Sequence, residues 1–143
     1  MDSVVADFDM IVIGGGGSGL AAAVSAAEHG LAVLVLEKRP ECGGTTAIAV
    51  GSFTGCVTTL QRLQGIDDSV AAHAEDAGKF AAPEIEARNH DSLRRFFLSE
   101  TAATLDWLME MGITFQGPNP EPPNRVPRMH NVVPGARAYI ATL

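Results

Sequence analysis

Apolar residues fall into two short unbroken runs near the N-terminus, then into helically spaced patterns further along. Asp9 to Ile13 reads as a first strand, β-branched and bounded by glycine. Ser18 to His29 reads as a helix, with Leu20, Val24 and Ala27 spaced to cover one face. Gly30 is placed to end it in the left-handed conformation. Ala32-Val33-Leu34-Val35-Leu36 follows at once, a continuous apolar run suited to a parallel strand buried on both faces. Phe53 to Leu63 mixes apolar residues and threonine without a clear period. Asp67 or Asp68 can cap a helix running to about Lys79, with Val70, Ala71, Ala74 and Ala77 as its stripe. Asp91 to Met111 predicts one helix, or two divided near Ser99, with Leu93, Phe96 and Phe97 apolar in its early part and Leu105, Leu108 and Met109 on one face later. Gly112 ends it, and Ile113-Thr114-Phe115 reads as a short strand. Gly117 to Gly135 holds six of the eight prolines and predicts no regular structure, and Ala138 to Leu143 begins another helix.

The turn between the first strand and helix carries the clearest chemistry. Gly14, Gly16 and Gly19 stand in the G-x-G-x-x-G spacing of a dinucleotide-binding turn, with Gly17 and Ser18 between them. The first glycine lets the chain reverse, the second leaves room for a pyrophosphate, and the third lets helix and strand pack closely. The helix start then offers unsatisfied N–H groups and the positive end of its dipole to phosphates. Glu37 ends the second strand, eighteen positions after Gly19, where an acid accepts hydrogen bonds from adenosine ribose hydroxyls. The acid disfavours a 2′-phosphate, while Lys38 and Arg39 leave room for one. Strand, helix and strand form a βαβ unit, so the fold class is α/β: a Rossmann-like βαβ unit followed by helices and a Pro-rich loop, an incomplete domain.

A second small-residue loop follows, Pro40-Glu41-Cys42-Gly43-Gly44-Thr45-Thr46-Ala47-Ile48. Its glycines permit close backbone approach to a ligand, and its threonines supply donors and acceptors; the plain alternative is an ordinary loop with a type II turn. The domain reading is residues 1–60 for the βαβ unit and second glycine loop, 61–116 for a helical segment, and 117–143 for the Pro-rich loop and the start of the next element.

Charge and composition remove several classes. A net charge of -7 argues against a nucleic-acid partner. The stretches Met10 to Ala27 and Cys42 to Gln61 carry no charge, but their Gly, Ser and Thr content makes poor membrane spans. The N-terminal residues Met1 to Asp9 are acidic, unlike a secretory leader, and no targeting peptide is read there. Cys42 and Cys56 form no CxxC, and the four histidines are scattered, so no metal site is expected and the cysteines read as free thiols of a reducing, cytoplasmic compartment. Arg125, Arg128 and His130 concentrate positive charge in the Pro-rich segment and read as part of a solvated loop; the alternative is that they face an anionic substrate or the cofactor.

Ile11-Val12-Ile13-Gly14-Gly15-Gly16-Gly17-Ser18-Gly19, Val35-Leu36-Glu37-Lys38 and Gly43-Gly44-Thr45-Thr46-Ala47-Ile48 together resemble the flavoprotein family of fumarate reductase and succinate dehydrogenase, which includes the ketosteroid dehydrogenases. Thr104 to Ile113 also resembles that family's helix before the capping domain. The resemblance implies an FAD-binding unit. Gly14, Gly16, Gly17, Ser18 and Gly19 would hold the phosphates and Glu37 the ribose, with Lys38, Gly44, Thr45 and Thr46 lining the rest. Thr45 stands where some members attach FAD through a histidine, which implies non-covalent FAD. Gly51-Ser52 departs from the paired glycines of many members.

The implied activity is hydride transfer between flavin and a carbon next to an electron-withdrawing group of a small-molecule substrate. Family members are several times longer, so the chain is expected to be the N-terminal part of a larger enzyme, not catalytically complete alone, and no catalytic acid or base is assigned. The alternatives are an NAD(P)-dependent dehydrogenase, which leaves Gly43 to Thr46 unexplained, and a non-catalytic truncated nucleotide-binding module.

Overall fold

A computed structural model describes residues 7–143. The acidic stretch Met1 to Ala6 lies outside the described residues. The chain forms two compact units: one runs to Gly51 and takes up Pro134–Leu143 as well, and the other is Ser52–Val133.

The first unit is built on strand β1 (Met10–Ile13), helix α1 (Gly17–Glu28) and strand β2 (Val33–Leu36). β1 and β2 pair in parallel, from Met10 opposite Val33 to Ile13 opposite Leu36. Gly30, at φ +81°, makes the left-handed turn that releases the chain from α1 into β2. The two-residue period of β1 sends Val12 beneath α1, where it is buried along with Ala23. Ile11 and Ile13 point the other way and are exposed, Ile13 at 86 %. In β2, the run expected to be buried on both faces, Val33, Leu34 and Val35 are only half-buried and Leu36 is exposed, so that expectation is not met among the described residues. A short 3-10 turn (Thr46–Ile48) follows β2, and helix α6 (Arg137–Thr142) completes the unit. The Tyr139 hydroxyl donates to the Gly51 carbonyl at 2.9 Å. Burial pushes that phenol up to about 12.

The second unit pairs three strands with four helices. β3 (Ser52–Thr54), β4 (Thr114–Asn119) and β5 (Met129–Val133) form an antiparallel sheet in the order β3-β5-β4. Gly117 to Gly135 was the stretch where prolines predicted irregularity, yet it supplies the central strand. β5 contains no proline, so its ladder donors are intact, and Pro118 falls on edge strand β4 within a register shift between Gln116 and Asn119.

Helix α2 (Thr59–Leu63) opens with a capping box in which the Thr58 side chain and Gln61 satisfy each other's backbone N–H groups. α3 (Val70–Ala77) is capped by Ser69, one residue beyond the acids expected to cap it, and α4 (Pro83–Glu86) is a single turn started by proline. α5 (Asp91–Glu110) is one undivided helix. Its mid-helix hydroxyls do not break it, because Ser99 and Thr101 donate back to the carbonyls of Phe96 and Leu98 at 2.7 and 2.8 Å. Leu98, Thr101, Leu105 and Leu108 recur at three- and four-residue steps and form its buried stripe. Leu93, Phe96 and Phe97 lie off that stripe and are exposed.

The core of this unit joins Cys56, Ala74 and Leu98, with Val70 packed against them. Beside it lies a buried ionic network. Arg128 is fully buried and binds Asp68 with two parallel hydrogen bonds of 2.7 and 2.6 Å. Its remaining terminal nitrogen donates to Asp76 at 2.8 Å, and Asp76 also accepts from Lys79 and Arg125. His130 is buried between the Phe53 carbonyl at 3.1 Å and the Thr58 hydroxyl at 3.0 Å. The solvated-loop reading of Arg128 and His130 is thus corrected: burial of these polar groups is tolerated because each is hydrogen-bonded.

Candidate functional site

The βαβ unit places a glycine turn, an acid and a second loop against one another. Gly14 turns the chain at φ +105°, with its N–H donating to the Leu36 carbonyl at 2.8 Å. Gly19 packs so closely that a Cβ there would sit 1.9 Å from the Gly14 carbonyl oxygen. Gly16 differs. A Cβ on Gly16 would meet nothing within 4 Å, so the turn presents open space at the start of α1. Gly16 is the N-cap of that helix with no side-chain cap, and no acid stands in the first turn. First-turn amides of such a helix have no intrahelical partner, and nothing anionic in that turn competes for them. Ser18 is exposed at the same turn.

Glu37 closes the turn from below. Its carboxylate accepts the Gly15 N–H at 2.7 Å and the Arg39 N–H at 2.9 Å. The Arg39 and Gly15 amides hold this carboxyl below the usual carboxylate range, so it is an anion at neutral pH. Two oxygens offer about four acceptor positions, which leaves capacity for further donors. Lys38 is exposed beside it, and its side chain makes no ion pair among the described residues.

The second loop is clasped to the first. Gly43 forms an isolated parallel bridge with Gly16, and its N–H donates to the Gly15 carbonyl at 2.7 Å. The Thr46 hydroxyl accepts the Gly17 N–H at 3.2 Å. Gly44, at φ +51°, lies so close that a Cβ would be 3.4 Å from the Gly16 Cα. Thr45 is exposed and starts the 3-10 turn without a side-chain cap bond. All of the candidate positions except Lys38, Ser18 and Thr45 are therefore linked by contact or hydrogen bond.

Gly15 and Arg137 were not assigned as cofactor contacts from the sequence, and Gly43 was read there only as permitting close backbone approach to a ligand. Gly15 must lack a Cβ because the Cys42 sulfur would be 2.6 Å from it. Gly43 needs φ +142°. Arg137, from α6, lines a cleft of about 290 Å³ along the second loop. The consecutive glycines flagged the first two; nothing local flags a residue so distant in sequence.

An uncapped helix start, open space before Gly16 and an ionised acid at the end of β2 fit a dinucleotide. Comparison with known proteins decides which: the FAD binding domain family matches residues 9–137. The chain belongs to that family. Its cofactor is FAD, and the NAD(P) alternative is set aside.

Among relatives, the chain is 34% identical over 112 residues to the NADH:fumarate oxidoreductase of Klebsiella pneumoniae, covering 78% of this chain and 12% of that protein. It is 33% identical over 104 residues to the fumarate reductase (cytochrome) of Shewanella frigidimarina, covering 73% of this chain and 18% of that protein. Among solved structures, the open conformation of a flavocytochrome c3 fumarate reductase superposes with a TM-score of 0.82 at 26% identity, covering 94% of this chain and 24% of that one. The FAD-binding chain thus spans a quarter or less of each protein it matches here. No helix among the described residues is long and apolar enough to cross a membrane.

Proposed function

We propose that this chain is the FAD cradle of a flavin-dependent oxidoreductase of the fumarate reductase and succinate dehydrogenase type. The enzyme would move a hydride to or from a carbon–carbon bond next to an electron-withdrawing group. The observation that carries the reading is the clasp of Thr46 and Gly43 onto the first glycine turn, a second loop that a plain βαβ nucleotide site does not need. The fumarate-reducing relatives support the reaction class.

In this reading Gly14, Gly16, Gly17, Ser18 and Gly19 hold the diphosphate through the helix start. Glu37 accepts the ribose hydroxyls, and Lys38, Gly44, Thr45 and Thr46 line the remainder. Bound FAD supplies two-electron chemistry; these residues bind and orient it. Thr45 offers no imidazole for covalent attachment, so FAD is held non-covalently. The residues that contact substrate and move its proton lie outside those assigned here. A small-molecule substrate, no nucleic acid and a cytoplasmic setting complete the reading, the last supported by the free thiols Cys42 and Cys56.

The test is purification of the protein at its full native length. Flavin absorbance bands that are released by acid precipitation, together with turnover of an α,β-unsaturated carboxylate, are the expected result. Protein that neither retains nor takes up FAD overturns the reading.

A further inference from the structure

The cleft beside the second glycine loop carries charge that the glycine cradle does not account for. Arg39 and Arg137 both line it, together with Glu41, Cys42, Gly43 and Gly44. The two guanidiniums come from the end of β2 and the first position of α6, almost a hundred residues apart in sequence. Both are exposed, and neither forms an ion pair among the described residues. In the second unit Lys79, Arg94, Arg95, Arg125 and Arg128 are each ion-paired, whereas Arg39 and Arg137 share one cleft with their guanidiniums unpaired among the described residues. A chain with net charge -7 repels an anion unless it concentrates positive charge where the anion docks. Two guanidiniums against one carboxylate, Glu41, leave this cleft net positive. Its backbone floor is Gly43 and Gly44, which present no side chain to a ligand.

We propose that Arg39 and Arg137 form a two-pronged clamp for the diphosphate of the ADP half of FAD. The inference rests on the FAD reading above and adds residues to it that the glycine and acid pattern does not contain. Arginine suits the role because its planar fork matches phosphate oxygens and stays charged at any accessible pH. Gly43 lines the cleft and is bridged to Gly16 of the glycine turn. Cys42 marks the cleft: its thiol is exposed, it packs against Gly15, and Cys56 is buried.

The experiment uses the full-length protein stripped of flavin. Alkylation of Cys42 by iodoacetamide is followed at the peptide level by mass spectrometry, without ligand, with FAD and with ADP. Both ligands are expected to slow Cys42 modification at least tenfold and to leave Cys56 unmodified throughout. Arg39→Gln and Arg137→Gln are each expected to weaken FAD and ADP by about tenfold, the loss of one charge-assisted hydrogen bond. Rising salt should weaken wild-type binding more steeply than that of the double variant. Because both side chains are exposed and neither forms an ion pair among the described residues, apo melting temperatures should stay nearly unchanged. FAD that saturates the wild type without protecting Cys42, or that binds the double variant as tightly, overturns the clamp and leaves the FAD reading intact. Wild-type protein that binds neither FAD nor ADP overturns both.

Discussion

The hydroxyl of Thr46 accepts the amide of Gly17 at 3.2 Å, so the second loop is tied to the first turn of α1 by one side chain. This bond occupies the Gly17 amide at the helix start and brings a hydroxyl to the same place. Because that hydroxyl can donate while it accepts, it extends the row of donors facing the cradle.

Thr46→Val removes the acceptor and the donor at nearly constant volume. The expected cost is about 1 kcal/mol of stability, with FAD affinity falling roughly tenfold. Thr46→Ser should restore both. Thermal melts with and without FAD and a flavin-fluorescence titration measure the two effects; a Val variant that binds like wild type removes Thr46 from the cradle.

Gly16→Ala and Gly19→Ala separate cofactor space from packing. Gly16 has a negative φ and open space where a Cβ would go, so the apo protein should melt as wild type while FAD binding drops. At Gly19 the new methyl would meet backbone at 1.9 Å, which cannot rotate away. We expect a loss of about 3 kcal/mol or more there, read as a lowered apo melting temperature. Equal apo melting of the two variants contradicts the assignment.

Arg128 holds Asp68 and Asp76 together in the second unit with no exposed surface of its own. Burial pushes both carboxyls up, but the hydrogen bonds from arginine, lysine and glutamine outweigh it and hold them below the usual carboxylate range. Arg128→Met leaves two buried carboxylates short of a partner and should cost about 3–5 kcal/mol in urea unfolding. Asp76→Asn should cost less, since Arg128 keeps Asp68. Loss of substrate turnover with no change in unfolding midpoint would instead make Arg128 a substrate contact.

His73 supplies a pH signature. It is buried, its Nδ1 has no hydrogen-bond partner, and burial, with the nearby Arg128 charge, lowers its pKa to about 4. The folded state therefore resists a proton that the unfolded state takes up below about 6.5. Stability is full above pH 6.5 and is lost as pH falls toward 4, by up to about 3 kcal/mol from this group alone. Asp68 and Asp76 act in the same direction but only below the ordinary carboxylate range, where their unfolded forms protonate. His73→Phe should flatten the curve between pH 4 and 6.5, as followed by chemical denaturation at each pH. A slope that survives the substitution assigns the proton uptake to another group, with buried His130 next in line.

The first unit was legible in the residue order because its determinants are local. Glycine spacing sets the turn, a two-residue period sets β1, and Gly30 ends α1 with its own backbone. Glu37 could be assigned by counting, since strand and helix lengths fix its distance from the turn. The second unit depends on partners far along the chain. Phe53 meets His130 across the sheet, and Arg128 meets Asp68 and Asp76 over separations of 60 and 52 residues. No local propensity encodes such pairs, and the prolines around β5 pointed away from a strand whose own donors were intact. Whether Arg128 was a solvated charge or a buried one, and whether Arg137 stood near the glycine loop, was decided by packing alone. Burial changes what a charge can do, and burial belongs to the assembled fold.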